Sequence, residues 1–197
     1  SNPDKRSALD TLSSELLSIR KKIDEYFLKT QWDKAMDAST AHRVGRARDE
    51  LEALLASLGP EHVALLIGLL EEEPDFVNRR FLLRALGRIG TDEALAGLEE
   101  HYWWCAQEQK ESEVKYTIDA LAFVDTERSF EILREYALSD DTIIHRYRFV
   151  GALAEGSRSA EAIDIYSQLL TDDSHFRVRQ RAAYGMKVSG SLAEISS

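Results

Sequence analysis

The side chains best able to do chemistry in this chain are five histidines (His42, His62, His101, His145 and His175) and a single cysteine, Cys105. Metal ligation or acid–base catalysis needs such groups to converge, and a sequence announces convergence through ligands at short, repeated spacings. These histidines fall at different phases of the chain's internal repeat, so their spacing does not support a metal centre. One cysteine excludes an intramolecular disulfide and a cysteine-rich metal site, and its expected role is that of a small buried apolar side chain. No Gly-rich phosphate loop, strand-flanked nucleophile motif or spaced Ser-His-acid set is present. The sequence therefore predicts no catalytic residue, no bound metal and no cofactor.

Arginines and tryptophans offer binding chemistry instead. Arg79, Arg80, Arg84 and Arg88 form one cluster, and Arg177, Arg179 and Arg181 another. Arg48, Arg79, Arg146 and Arg179 share one phase of the repeat, which predicts structural ion pairs for Arg79, Arg146 and Arg179, with Asp92, Asp140 and Asp173 as partners by phase. The off-phase Arg84, Arg88 and Arg181 are candidates for binding an anionic segment of a partner. In His101-Tyr102-Trp103-Trp104, Tyr102 continues the apolar stripe of Leu95, Leu98 and Cys105. Trp103 and Trp104 then point about 100 and 200 degrees away from that stripe on a helix. At least one of them leaves the core, either as a binding hot spot or as a cover for the longer connection at Gln107 to Ser112.

The elements that position these residues come from an internal repeat. Five related hexapeptides begin at Leu54 (LLASLG), Ala85 (ALGRIG), Ala120 (ALAFVD), Ala152 (ALAEGS) and Gly185 (GMKVSG), 31, 35, 32 and 33 residues apart. A period in this range marks a solenoid of stacked units. Six residues before the starts stand the phased arginines, with Val114 in the arginine's place in the third unit. Apolar residues recur at three and four in both halves of each unit, so each unit is two helices. Gly59-Pro60, Gly90-Thr91-Asp92 and Asp125-Thr126-Glu127 supply stops and starts, with Thr91 and Thr126 as caps and Pro74 in the first turn of a helix beginning near Asp75.

Asp75 to Gly90 (DFVNRRFLLRALGRIG) followed by Thr91 to Leu98 (TDEALAGL) resembles the HEAT-like repeat of bilin lyase subunits and many bacterial scaffolds, over roughly residues 45 to 190. The resemblance implies an all-α superhelix, here about four helix pairs lined on the concave side by second helices. HEAT-like hydroxylases that hold two irons use repeated His-Glu pairs, and this chain has no His-Glu dipeptide. A HEAT-like DNA glycosylase would need a positively charged cleft. Residues 1–45 lie outside the repeat, but Leu9, Leu12, Leu16, Ile19, Ile23 and Tyr26 alternate at three and four, as a helix capping the solenoid or as the seam of a coiled-coil homodimer would. Trp32, Ala35 and Met36 begin a second cap helix. The expected organisation is thus a cap at 1–45, a solenoid at 46–190 and a tail at 191–197.

Thirty-five acidic against twenty-five basic residues give a net charge of −10, which disfavours nucleic acid as partner because that affinity rests on an excess of Lys and Arg. No apolar run reaches the roughly 18 residues of a membrane span. The chain opens Ser1-Asn2-Pro3 without methionine, which fits a trimmed terminus or a removed leader; a cytoplasmic protein is the expectation and an exported one the alternative. The function these features predict is a non-enzymatic protein-interaction scaffold or adaptor. The alternatives are an enzyme-associated subunit resembling the bilin lyase subunits, with the arginines and Trp103 or Trp104 holding an anionic tetrapyrrole, and an acidic inhibitor of a basic toxin or enzyme.

Overall fold

The computed structural model describes residues 3–30 and 38–195, with side chains described for 14–29 and 41–190. The chain is all-helical, with no strand among the described residues. It divides into two compact units, Ser1–Ala85 and Leu86–Ser197. The domain boundary expected at residue 45 falls inside a helix. No single described helix is long and apolar enough to cross a membrane.

The first unit holds α1 (Pro3–Thr30), α2 (Ala38–Ala56), a 3-10 turn at Pro60–His62, α3 (Val63–Glu72) and most of α4 (Phe76–Ile89). α1 packs on α2, and the inward stripe read from sequence is seen in part: Ile23 is buried, while Leu16, Ile19 and Tyr26 are half-buried. The side chains of Leu9 and Leu12, and Trp32, Ala35 and Met36, lie outside the described residues. Asp75 precedes α4 and accepts the Val77 N–H at 2.7 Å, so that helix starts at Phe76 and Pro74 stands before its first turn.

The second unit continues with α5 (Asp92–Gln107), α6 (Glu111–Leu121), α7 (Glu127–Leu138), α8 (Arg146–Glu155), α9 (Ile163–Asp172) and α10 (Phe176–Ile195). α5 packs on α6, α7 on α8 and α9 on α10, while α8 contacts both α6 and α10. Leu86 of α4 and the stripes of both helices in each pair close the core: Leu86, Leu95, Leu98, Ile118, Leu121, Ile132, Phe149, Ile165, Tyr166 and Val178 are all at most 1% exposed. Ile89 and Val124, expected in that core, are only half-buried. Both lie at turns; Val124 packs against Gly90, whose φ of +61° and lack of Cβ allow the contact. α10 runs past Gly190 to Ile195, so residues 191–195 extend the last helix.

Helix ends follow the expected chemistry. Thr91 and Thr126 accept the N–H groups of Ala94 and Ser129, at 3.2 and 3.1 Å, as N-caps should. The C-terminus of α5 is the exception, because its unit carries Val114 where the others carry arginine. There the backbone caps itself: Lys110 N–H donates to the Cys105 carbonyl at 2.9 Å and Gln109 N–H to that of Ala106 at 3.3 Å, with Gln109 at φ 56°. This is a Schellman turn with glutamine in the left-handed position that glycine usually fills.

A left-handed L-residue costs roughly 1–2 kcal/mol, and glycine gives back about 0.5–1 kcal/mol through the freedom it loses on folding. Gln109→Gly is therefore expected to stabilise the protein by about 0.5–1 kcal/mol in urea denaturation. An unchanged or lowered midpoint would place Gln109 outside the left-handed region.

Candidate functional site

The phased arginines occupy one recurring setting. Arg79 donates to the carbonyl of Glu73 at 2.6 Å, Arg146 to those of Ser139 and Leu138 at 2.8 and 3.5 Å, and Arg179 to those of Asp173 and Ser174 at 3.0 and 2.9 Å. Each guanidinium thus satisfies carbonyls where the preceding helix ends, groups that a helix leaves without an intrahelical partner. Arg146 adds carboxylates, Asp173 Oδ2 at 2.7 Å and Asp140 Oδ1 at 2.8 Å. Burial works against its charge, but the bonds to Asp173 and Asp140 outweigh that and raise its pKa. Asp92, the other acid expected to pair, is exposed in the first turn of α5.

Around Tyr102, fully buried on α5, the second unit builds an aromatic and polar cluster. The rings of Trp103, Tyr136, His145 and Phe149 lie 5.0 to 5.8 Å from that of Tyr102. His145 Nε2 lies 3.0 Å from Glu111 Oε1 and its Nδ1 3.2 Å from Tyr102 Oη. A carboxylate only accepts, so His145 donates from Nε2, and its Nδ1 and the Tyr102 hydroxyl share the second bond. Glu111 Oε2 takes a further bond from Arg148 at 3.2 Å. The hydrogen bond from His145, aided by Arg148, outweighs burial and lowers the Glu111 pKa. On the other side, Trp103 Nε1 donates to Tyr136 Oη at 3.2 Å, and Tyr136 donates to Glu99 at 2.8 Å. Burial, then the bond to Glu99, pushes the Tyr136 phenol up to about 12, and burial also raises that of Tyr102. Both phenols therefore stay protonated at neutral pH.

Arg148 carries this network to a groove where α6, α8 and α10 meet. Lys115, Ile118 and Asp119 of α6 line it with Tyr147, Arg148, Gly151, Ala152 and Glu155 of α8 and Arg181 of α10. The Tyr147 ring has the guanidinium carbons of Arg148 and Arg177 at 5.1 and 5.5 Å from its centroid, within reach of cation–π attraction. Arg181 lies across α8 at Gly151, where an added Cβ would meet its Cδ at 3.4 Å, an ordinary van der Waals contact. Arg181 reaches Glu155 at 3.4 Å and remains 45% exposed.

The binding candidates of the sequence occupy different settings. Arg181 lines the groove; neither tryptophan does. Trp103 is half-buried against Tyr136, and Trp104, 39% exposed, has Lys110 Nζ 3.7 Å from its ring centroid, so it covers the α5–α6 connection. In the first unit Arg84 bonds Glu52 at 2.7 Å. Arg88, in the last turn of α4, is half-buried.

Sequence reasoning missed Tyr147 and Gly151, whose neighbours belong to another helix. It also missed His101, Cys105 and Glu113. One ligand atom from each of these three buried residues lies within 4.8 Å of the others, the one such group among the described residues that could hold a metal ion. The available signal was His101-x3-Cys105, two polar-capable residues one turn apart on an inward stripe. No protein-family model and no curated protein matches the chain.

A tyrosine whose folded pKa is raised stabilises the protein fully below its unfolded value of 10.0, and the contribution is lost as pH climbs through about 12. Stability should fall between those values, and Tyr136→Phe should make the fall shallower in chemical denaturation at stepped pH. Tyr136→Phe with an undiminished fall would contradict the buried phenol.

Proposed function

We propose that the chain is a HEAT-like, non-enzymatic scaffold that binds a protein partner through the surface where α6, α8 and α10 meet. The helix pairs α5/α6, α7/α8 and α9/α10, with α8 touching α6 and α10, support the solenoid reading. The groove itself carries the functional one: an aromatic ring, exposed arginine and paired opposite charges on adjacent helices. Tyrosine and arginine are the side chains over-represented among binding hot spots, because each offers a large flat contact with few torsions to freeze or a planar fork of donors.

The charges specify the class of partner segment. Lys115 pairs with Asp119, and Arg181 with Glu155, across open positions, so an incoming chain replaces each weak surface pair with its own acid or base. A segment of mixed charge with an apolar or aromatic residue seated at Tyr147 fits this pattern. An all-acidic or all-basic segment leaves one set of groove charges facing its own kind.

An array of mixed-charge peptides, with the best ligand carried into calorimetry, tests the reading. Tyr147→Ala and Arg181→Ala should each weaken binding by at least about 2 kcal/mol, the hot-spot range, with melting temperatures near wild type. Peptides that bind the Tyr147→Ala/Arg181→Ala double variant as tightly as wild type would move the interaction off this surface.

A further inference from the structure

His101 and Cys105 are four residues apart on α5, which sets both side chains on one face of the helix. That face is buried: His101 is 8% exposed and Cys105 0%. Glu113, 2% exposed, enters from the first turn of α6. His101 Nε2 lies 3.0 Å from Glu113 Oε1, and one ligand atom from each of the three residues is within 4.8 Å of the other two. We propose that His101, Cys105 and Glu113 bind a divalent ion of the zinc class, which clamps the end of α5 to the start of α6.

Geometry and donor type agree on the ion. Bonds of about 2.0–2.3 Å in a tetrahedron hold ligand atoms roughly 3.3–3.8 Å apart. The 3.0 Å contact must open slightly and the longest separation, under 4.8 Å, must close, changes that side-chain torsions supply without moving either helix. An imidazole, a thiol and a single carboxylate make a borderline-soft set. Calcium and magnesium would need six or more oxygens, which one carboxylate does not approach. Three protein ligands leave the fourth position to water. On binding, Cys105 loses its thiol proton to solvent, His101 ligates through Nε2 as the neutral imidazole with its ring proton on Nδ1, and no oxidation state changes.

The clamp falls where the fold has lost another device. This is the unit with Val114 in place of the phased arginine, where α5 ends on a left-handed Gln109. An ion on Cys105 and Glu113 would join the two sides of that turn.

Cys105 is the only cysteine, so a thiolate-to-cobalt charge-transfer band in the full chain can come from no other residue. Titrating the metal-free protein with Co2+ under reducing conditions is expected to produce that band, and Zn2+ to bleach it. Zn2+ should also raise the melting temperature of wild type, but not of Cys105→Ala. Glu113→Gln and His101→Gln should weaken Co2+ binding by more than about tenfold, the least that loss of even a supporting partner costs. The wild-type band needs no variant to fold. Its absence at saturating Co2+, or an equal Zn2+-induced rise in melting temperature in wild type and Cys105→Ala, overturns the site and leaves a histidine–glutamate hydrogen bond beside a buried thiol.

Discussion

Arg146 sits 7% exposed at the start of α8, and its guanidinium reaches three elements at once. It bonds carbonyls of Leu138 and Ser139 where α7 ends, Asp140 in the following turn, and Asp173 where α9 gives way to α10. Taking a cation and a carboxylate out of water costs several kcal/mol each, and only good geometry with every lone pair used recovers it. Arginine recovers much of it because its planar fork offers several donors in fixed directions, Nη1 and Nη2 being bonded here while the buried Nε has no partner; a lysine would present one point charge to four acceptors. The Asp173 side chain, 2% exposed, has this guanidinium as its buried counter-charge and also accepts the His175 N–H at 2.7 Å. The helix end, the turn and the next helix pair are thus fixed by one side chain.

That constraint explains the local variation of the second unit. Arg179 repeats the carbonyl contacts at the end of α9. The unit with Val114 buries an apolar residue at the same phase, and its helix end depends on the Gln109 turn, with the buried His101–Glu113 bond beside it. The polar cluster around Tyr102 then connects this irregular unit to α7 and α8. Glu111 is shared between buried His145 and groove-lining Arg148, so interior packing holds the Arg148 head group in place at the surface. A binding face whose charges are held from behind loses less side-chain entropy when a partner docks.

The parts of the fold legible in sequence were those with local causes. Thr91 and Thr126 cap because a hydroxyl beside a helix start has a backbone N–H within reach, and Leu95, Leu98 and Leu121 are buried because three-four spacing defines a face. The phase of Arg79, Arg146 and Arg179 was visible too, although phase alone pointed to carboxylates and the contact common to all three is with carbonyls. Ile89 and Val124 share the spacing of core residues but sit at turns, where the stripe reaches the surface. His101, Cys105 and Glu113 went unrecognised because Glu113 joins the others only through the docking of α6 on α5. Tyr147 and Arg181 likewise share a groove by virtue of α8 lying against α10, which no one-dimensional spacing encodes.

A double-mutant cycle between Arg146 and Asp173, read by urea denaturation, tests most directly whether one buried ion pair joins successive helix pairs. Arg146→Ala strands the buried Asp173 carboxylate and should cost about 3–5 kcal/mol, while Asp173→Ala leaves Arg146 its Asp140 and carbonyl acceptors and should cost less. The double variant strands neither and should be more stable than the sum of the two losses predicts, by about 2–3 kcal/mol of coupling. Losses that add to within roughly 0.5 kcal/mol, the behaviour of independent sites, would show that the two side chains stabilise their helix ends separately and that the bridge does not organise the unit.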